Sequence, residues 1–183
     1  MPNAEQLNRT SISNQRDMND KPKTVSVLFV CLGNICRSPA AHAVFQKMAQ
    51  SAGVGDRFYI DSAGILDYHE GELPDPRMRQ AAEKRGYELT HRSRPITKDD
   101  FYNFDLVLAM DREIFQALQQ LAPPSPEQNR LARVELFMNY VNDGEGNLDV
   151  PDPYWSGPAG FELVMDLVEK GCCNLLRTLC QDN

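Results

Sequence analysis

The sequence predicts an α/β fold in three layers, α/β/α, with a four-stranded parallel sheet and a phosphate-binding loop after the first strand. Three observations carry this. Short apolar runs alternate with longer amphipathic stretches, the order that places helices on both faces of a parallel sheet. The amphipathic stretches carry helix start and stop signals at the right places. A loop rich in chemistry follows the first apolar run, and in such sheets ligands bind beyond the carboxyl ends of the strands.

The elements follow in order. Residues 1–23, rich in Asn, Ser, Asp and Gln, read as a disordered leader. Residues 24–183 form the folded domain, a size ordinary for one unit. "TVSVLFV" is the first strand, and "SPAAHAVFQKMAQSAG" is a helix with Ser38 as N-cap, Pro39 at its first position and Gly53 closing it. "RFYIDSAG" is the second strand. "DPRMRQAAEKRG" is a helix capped by Asp75 and ended by Gly86. "DLVLAM" is a buried strand, "DREIFQALQQLA" a helix, "PPSPEQN" a loop and "RVELF" the fourth strand. A last helix covers about 159–179, where Phe161, Val164, Leu167, Val168, Leu175, Leu176 and Leu179 recur at helical spacing.

Composition narrows the function. A net charge of -7 argues against a nucleic-acid partner. The longest apolar run falls far short of the ~20 residues that span a bilayer, so no membrane partner is expected. The opening residues carry no hydrophobic segment of a secretory signal. Five cysteines, an odd count with one adjacent pair, do not form a disulfide framework and suit a reducing cytoplasm.

The loop lies in "VLFVCLGNICRSP", residues 27–39, and has the form C-x5-R from Cys31 to Arg37. A short loop wrapped before a helix N-terminus aims successive backbone N–H groups at one point, an anion-binding nest aided by the helix dipole. Gly33 permits backbone geometry that other residues resist. Arg37 supplies a planar fork for bidentate phosphate contacts. The same positive field favours a thiolate at Cys31. A nucleophile and an oxyanion cradle on one loop can displace a phosphoryl group. Zinc held by Cys31, Cys36, Cys172 and Cys173 fits poorly, because C-x4-C is wider than the common spacing and Arg37 would sit beside the metal. No metal or cofactor is expected.

A phenolate is a poor leaving group near neutral pH, because the tyrosine pKa is ~10, so a proton donor should work with Cys31. "VPDPYW" offers Asp152, held between prolines; Asp75, also before a proline, is the alternative and reads as a cap.

"VCLGNICRSP" resembles the signature of the low-molecular-weight protein tyrosine phosphatases, and the resemblance covers about residues 24–180. It implies a four-stranded parallel sheet, no metal, a phosphocysteine intermediate and phosphotyrosine-containing proteins as partners, and we expect a monomer. The larger tyrosine phosphatases place a histidine before the nucleophile, where this chain has Val30. The resemblance assigns the general acid to Asp152, in its Asp-Pro-Tyr segment. Substrate binding then falls to Leu32, Gly33, Asn34, Ile35, Cys36 and Ser38, with Ile35, Tyr68 and Tyr154 walling the cleft and His91 supporting the loop. Asn34 and Ser38 are expected to hold the loop and hydrogen-bond the thiolate. Tyr68 stands where some members have tryptophan. Trp155 and Phe161 read as packing residues. Cys36 is either a small buried hydrophobe or a redox guard of Cys31, and the resemblance favours the guard.

Three other functions share parts of this pattern. An arsenate reductase of this fold needs resolving cysteines, but residues 37–171 contain none. An arginine phosphatase typically carries threonine in place of Ile35 and lacks the tyrosine after Asp-Pro. A catalytically idle phosphopeptide binder is disfavoured by the intact Cys31, Arg37 and Asp152.

Overall fold

Four short strands, three of them largely buried, pair into one parallel sheet. The computed structural model describes residues 23–124, 131–142 and 145–182. Strands β1 (Val25–Cys31), β2 (Phe58–Gly64), β3 (Leu106–Ala109) and β4 (Arg133–Leu136) lie in the order β2-β1-β3-β4. Phe29 sits in register with Ser62 on one side and Leu108 on the other. Because β2 and β3 flank β1 on opposite sides, the chain reverses direction across the sheet at β1. A crevice opens at the strand ends there.

Side chains of β1 alternate between the two faces, as a strand requires. Val27, Phe29 and Cys31 pack with helices α1 (Arg37–Ser51), α2 (Pro76–Glu83) and α6 (Pro158–Gln181). Leu28 and Val30 face α3 (Asp100–Asn103) and α4 (Arg112–Leu121). A further short helix, α5 (Asn139–Asn142), follows β4. Phe29, Phe45 and Phe137 are fully buried and meet ring to ring, with Phe29 5.9 Å from Phe45 and 6.1 Å from Phe137. Each such ring contributes ~1.5–3 kcal/mol through burial. The α6 stripe points inward as its spacing predicts: Phe161, Val164, Val168, Leu175 and Leu179 are buried, with Leu167 and Leu176 at the edge.

One cap differs from the prediction. Helix α1 begins at Arg37 and its N-cap position is Cys36, so Ser38 lies inside the first turn, where its buried hydroxyl is committed to the loop. Asp75 does cap α2, its side chain accepting from the Arg77 N–H at 2.8 Å. Helices α3 and α5 are too short to leave a periodic signal. The leader expected over 1–23 lies outside the described residues except for Lys23, as does most of the loop expected over 123–129. Among the described residues no helix is long and apolar enough to cross a membrane.

Candidate active site

The last residue of β1 is Cys31, and residues 32–36 wrap a loop that ends where α1 begins. Hydrogen bonds hold the outside of this loop. The carbonyl of Leu32 accepts from the Leu66 N–H at 2.9 Å, that of Gly33 from the Ser93 hydroxyl at 3.0 Å, and that of Ile35 from the Asp75 N–H at 2.8 Å. In a planar trans peptide the N–H lies opposite its C=O. The N–H groups of Gly33, Asn34 and Cys36 are therefore directed to the inner side. With the start of α1 they make an anion cradle.

The left-handed residue in the loop is Asn34, at φ +56°; Gly33 has no positive φ. This corrects the role expected for Gly33. What its missing side chain provides is room, since a Cβ there would come within 3.1 Å of the His69 ring. Asn34 tolerates the conformation because its amide is fully engaged. Its Nδ2 donates to Ser38 Oγ at 2.8 Å and Ser62 Oγ at 3.0 Å. Its Oδ1 accepts from the Arg94 N–H at 3.1 Å and meets His91 Nε2 at 3.2 Å. Gly64 lets β2 approach, as a Cβ there would lie 3.0 Å from Leu32 O.

Ser38 Oγ lies 3.0 Å from Cys31 Sγ. That hydroxyl accepts from Asn34, so its own proton has two acceptors in reach, the sulfur and, more distant at 3.4 Å, the Ala63 carbonyl. Cys31 is buried at 3% exposure but lines the cleft. Arg37, also 3% exposed, donates to Asp111 Oδ2 at 2.6 Å and to the Val150 carbonyl at 3.0 Å, and its other terminal nitrogen faces Asp152 Oδ2 at 3.5 Å. Burial opposes the guanidinium charge, but Cys31, Asp111 and Asp152 outweigh it and hold Arg37 above its ordinary value. Burial first, then Asp75 and Cys31, push the Cys36 thiol well above its usual range.

A cleft of about 300 Å³ opens over this loop. Cys31, Leu32, Gly33, Ile35, Cys36, Arg37, Tyr68, Asp152 and Tyr154, all sequence-predicted, line it. Asp75 is turned away in an ion pair with Arg77 at 2.8 Å. Asn34, Ser38 and His91 stand behind the loop rather than in the cleft, as the bonds above show. Leu66, His69 and Trp155 also line the cleft and were missed. Trp155 is corrected from a packing residue: it is 93% exposed, its ring edge-on to Tyr154 at 5.0 Å. Phe161 is buried. Asp111, the partner of Arg37, was also missed; it sits at the start of α4, far from the loop in sequence.

The family model of low molecular weight phosphotyrosine protein phosphatases matches residues 26–183. The chain belongs to this family. A low molecular weight protein-tyrosine-phosphatase of Streptomyces coelicolor is 43% identical over 154 residues, 84% of this chain and 92% of that relative. Among solved structures, a protein tyrosine phosphatase of Entamoeba histolytica, with Hepes in its active site, superposes with a TM-score of 0.79 at 39% identity, covering 87% of this chain and 99% of its own. A Drosophila arginine phosphatase superposes with a TM-score of 0.78 at 30% identity, covering 86% and 99%. The low molecular weight phosphatase fold thus accounts for the parallel sheet, its strand order and the loop after β1.

Proposed function

We propose that this chain is a protein tyrosine phosphatase that hydrolyses phosphotyrosine and small aryl phosphates through a phosphocysteine at Cys31. The observation that carries the reading is the convergence of Cys31, Arg37 and Asp152 on one cleft, with the Ser38 hydroxyl 3.0 Å from the sulfur.

The substrate phosphate sits in the loop, its oxygens on the inward N–H groups and on the Arg37 guanidinium. The Cys31 thiolate attacks phosphorus in line with the ester oxygen. As the S–P bond forms and the P–O bond breaks, Asp152 passes its proton to the departing phenolate. Asp152, now a carboxylate, removes a proton from water, which attacks the phosphocysteine and releases phosphate and the thiolate. Charge on the transferred group is met by Arg37 and fixed backbone dipoles, which need no reorganisation during the step. No step calls for a metal or cofactor. Tyr68, Tyr154, Trp155 and Ile35 form walls deep enough for a phenyl ring to reach Cys31, whereas a seryl stem stops its backbone at the rim. We take the enzyme to act as a cytoplasmic monomer on phosphotyrosine-containing proteins, in keeping with its five free thiols.

Matched phosphotyrosine and phosphoserine peptides test the reading. A much higher kcat/KM for phosphotyrosine is expected, and equal values contradict it. The likeness to an arginine phosphatase favours one second reading, phosphoarginine. Ile35 and Tyr154 at the cleft oppose it, so phosphoarginine should turn over slowly.

A further inference from the structure

Behind the loop, outside the cleft, three ligand-type side chains from three elements converge: His42 on α1, Asp61 on β2 and His91 in the segment after α2. One donor atom from each lies within 4.8 Å of the other two. We propose that His42, Asp61 and His91 form a binding site for a divalent transition-metal ion of the zinc class, completed by water.

The donor set suits the ion. Two imidazoles and a carboxylate with one open position is an established zinc pattern, with ligands at ~2.0–2.2 Å and hence ~3.3 Å from one another in a tetrahedron. His91 Nδ1 and Asp61 Oδ1, 3.5 Å apart, already stand near that separation. The remaining contraction falls on His42, whose ring centre is 5.0 Å from that of His91.

The surroundings orient the donors as metal sites do. The Asn34 amide is fixed by the Arg94 N–H it accepts, so its Oδ1 can only accept from His91 Nε2. That places the His91 proton on Nε2 and presents Nδ1, the nitrogen facing Asp61, as the donor. A ligating histidine that donates its other N–H to a carbonyl oxygen is the usual second tier of such sites. His42 Nδ1 stands 3.2 Å from the Ser62 hydroxyl, which holds the ring in place.

Charge also fits. Asp61 divides its oxygens, Oδ1 taking the Ser62 N–H at 2.8 Å and Oδ2 the Arg94 Nε at 3.0 Å. Arg94 is held in turn by Asp100 at 2.9 and 3.1 Å. Two carboxylates against one guanidinium leave a net negative charge for a dication. A cavity of about 250 Å³ lined by His42, His91, Gln46, Glu88 and Thr90 gives access from solvent. The ion stands outside the chemistry: it would hold His91, and through it Asn34 and Ser38, as a clamp on the back of the loop.

The sequence has three histidines, which makes the test simple. Zinc sulfate is titrated at neutral pH into the full chain carrying Cys31→Ser, which removes the competing thiolate, while ring ¹H–¹⁵N spectra are recorded. Saturation at one equivalent should shift His42 and His91 and leave His69, which pairs with Glu72 at the surface, in place. In the same background His42→Gln should weaken zinc binding by more than about 100-fold, beyond the 10–100-fold typical of losing an outer partner. A shift confined to His69, no saturable binding, or equal affinity in His42→Gln overturns the proposal. Should His42→Gln fail to fold by circular dichroism, the histidine spectra of the parent decide alone.

Discussion

Arg37 is tied to Asp111 by a 2.6 Å hydrogen bond from Nη1 to Oδ2. The pair joins the first turn of α1 to the cap of α4, since the other Asp111 oxygen accepts from the Ile114 N–H at 2.8 Å. One edge of the guanidinium is therefore spent on the scaffold and on the Val150 carbonyl, and the rest faces the cleft. An arginine so held meets the phosphate without first losing rotamer freedom.

Replacing Asp111 by asparagine keeps an acceptor for the α4 cap and removes the charge that positions Arg37. A charged hydrogen bond is worth ~1.5–3 kcal/mol, so Asp111→Asn should lower kcat/KM for an aryl phosphate by about 10–100-fold. Circular dichroism should show the fold retained. Unchanged kinetics would mean that Arg37 needs no such anchor.

Asp152→Asn should slow kcat for phenyl phosphate by roughly 10²–10⁴, the usual yield of a positioned proton donor. The loss should shrink as the leaving group becomes more acidic. Should Asp152→Asn be neutral and Asp75→Asn crippled, the acid has been assigned to the wrong residue.

The loop, the four strands and the Asp75 cap were legible because each is local: apolar runs, a fixed C-x5-R spacing, an Asp-Pro before a helix. What was not legible comes from distance along the chain. Asp111 reaches Arg37 only because β3 pairs beside β1. Ser62, Ser93 and Arg94 meet Asn34 or Gly33 only after β2 has docked. His42 and Asp61 carried no mark of approaching His91. The exposure of Trp155 was hidden for another reason, since an aromatic pair before a helix has the same pattern whether it packs inward or rims a cleft.

Cys36 is proposed to trap the sulfenic acid of Cys31 as a disulfide. Peroxide should then inactivate the wild type reversibly, whereas Cys36→Ser should stay active yet recover poorly with thiol reductant. Because Cys36 is pushed above its ordinary value, its reactive thiolate is scarce near neutrality and grows as pH rises. Disulfide formation should quicken with pH. Mass spectrometry that links Cys31 to Cys172, Cys173 or Cys180 would discard the guard role and revive the reductase.

Ile35→Thr should raise phosphoarginine turnover relative to phosphotyrosine, because the ethyl branch on the cleft wall is exchanged for a hydroxyl. Competition assays with the two phosphopeptides read the ratio. An unchanged ratio would remove Ile35 from specificity.

Rapid quenching of wild-type turnover on a phosphotyrosine peptide, followed by acid digestion and mass spectrometry, is the most direct test of the proposed reaction. Covalent catalysis at Cys31 predicts phosphate on the peptide that contains Cys31, absent from Cys31→Ser and accumulating in Asp152→Asn when the leaving group is acidic enough to depart unaided. Phosphate on another residue, or turnover by Cys31→Ser at the wild-type rate, would contradict it.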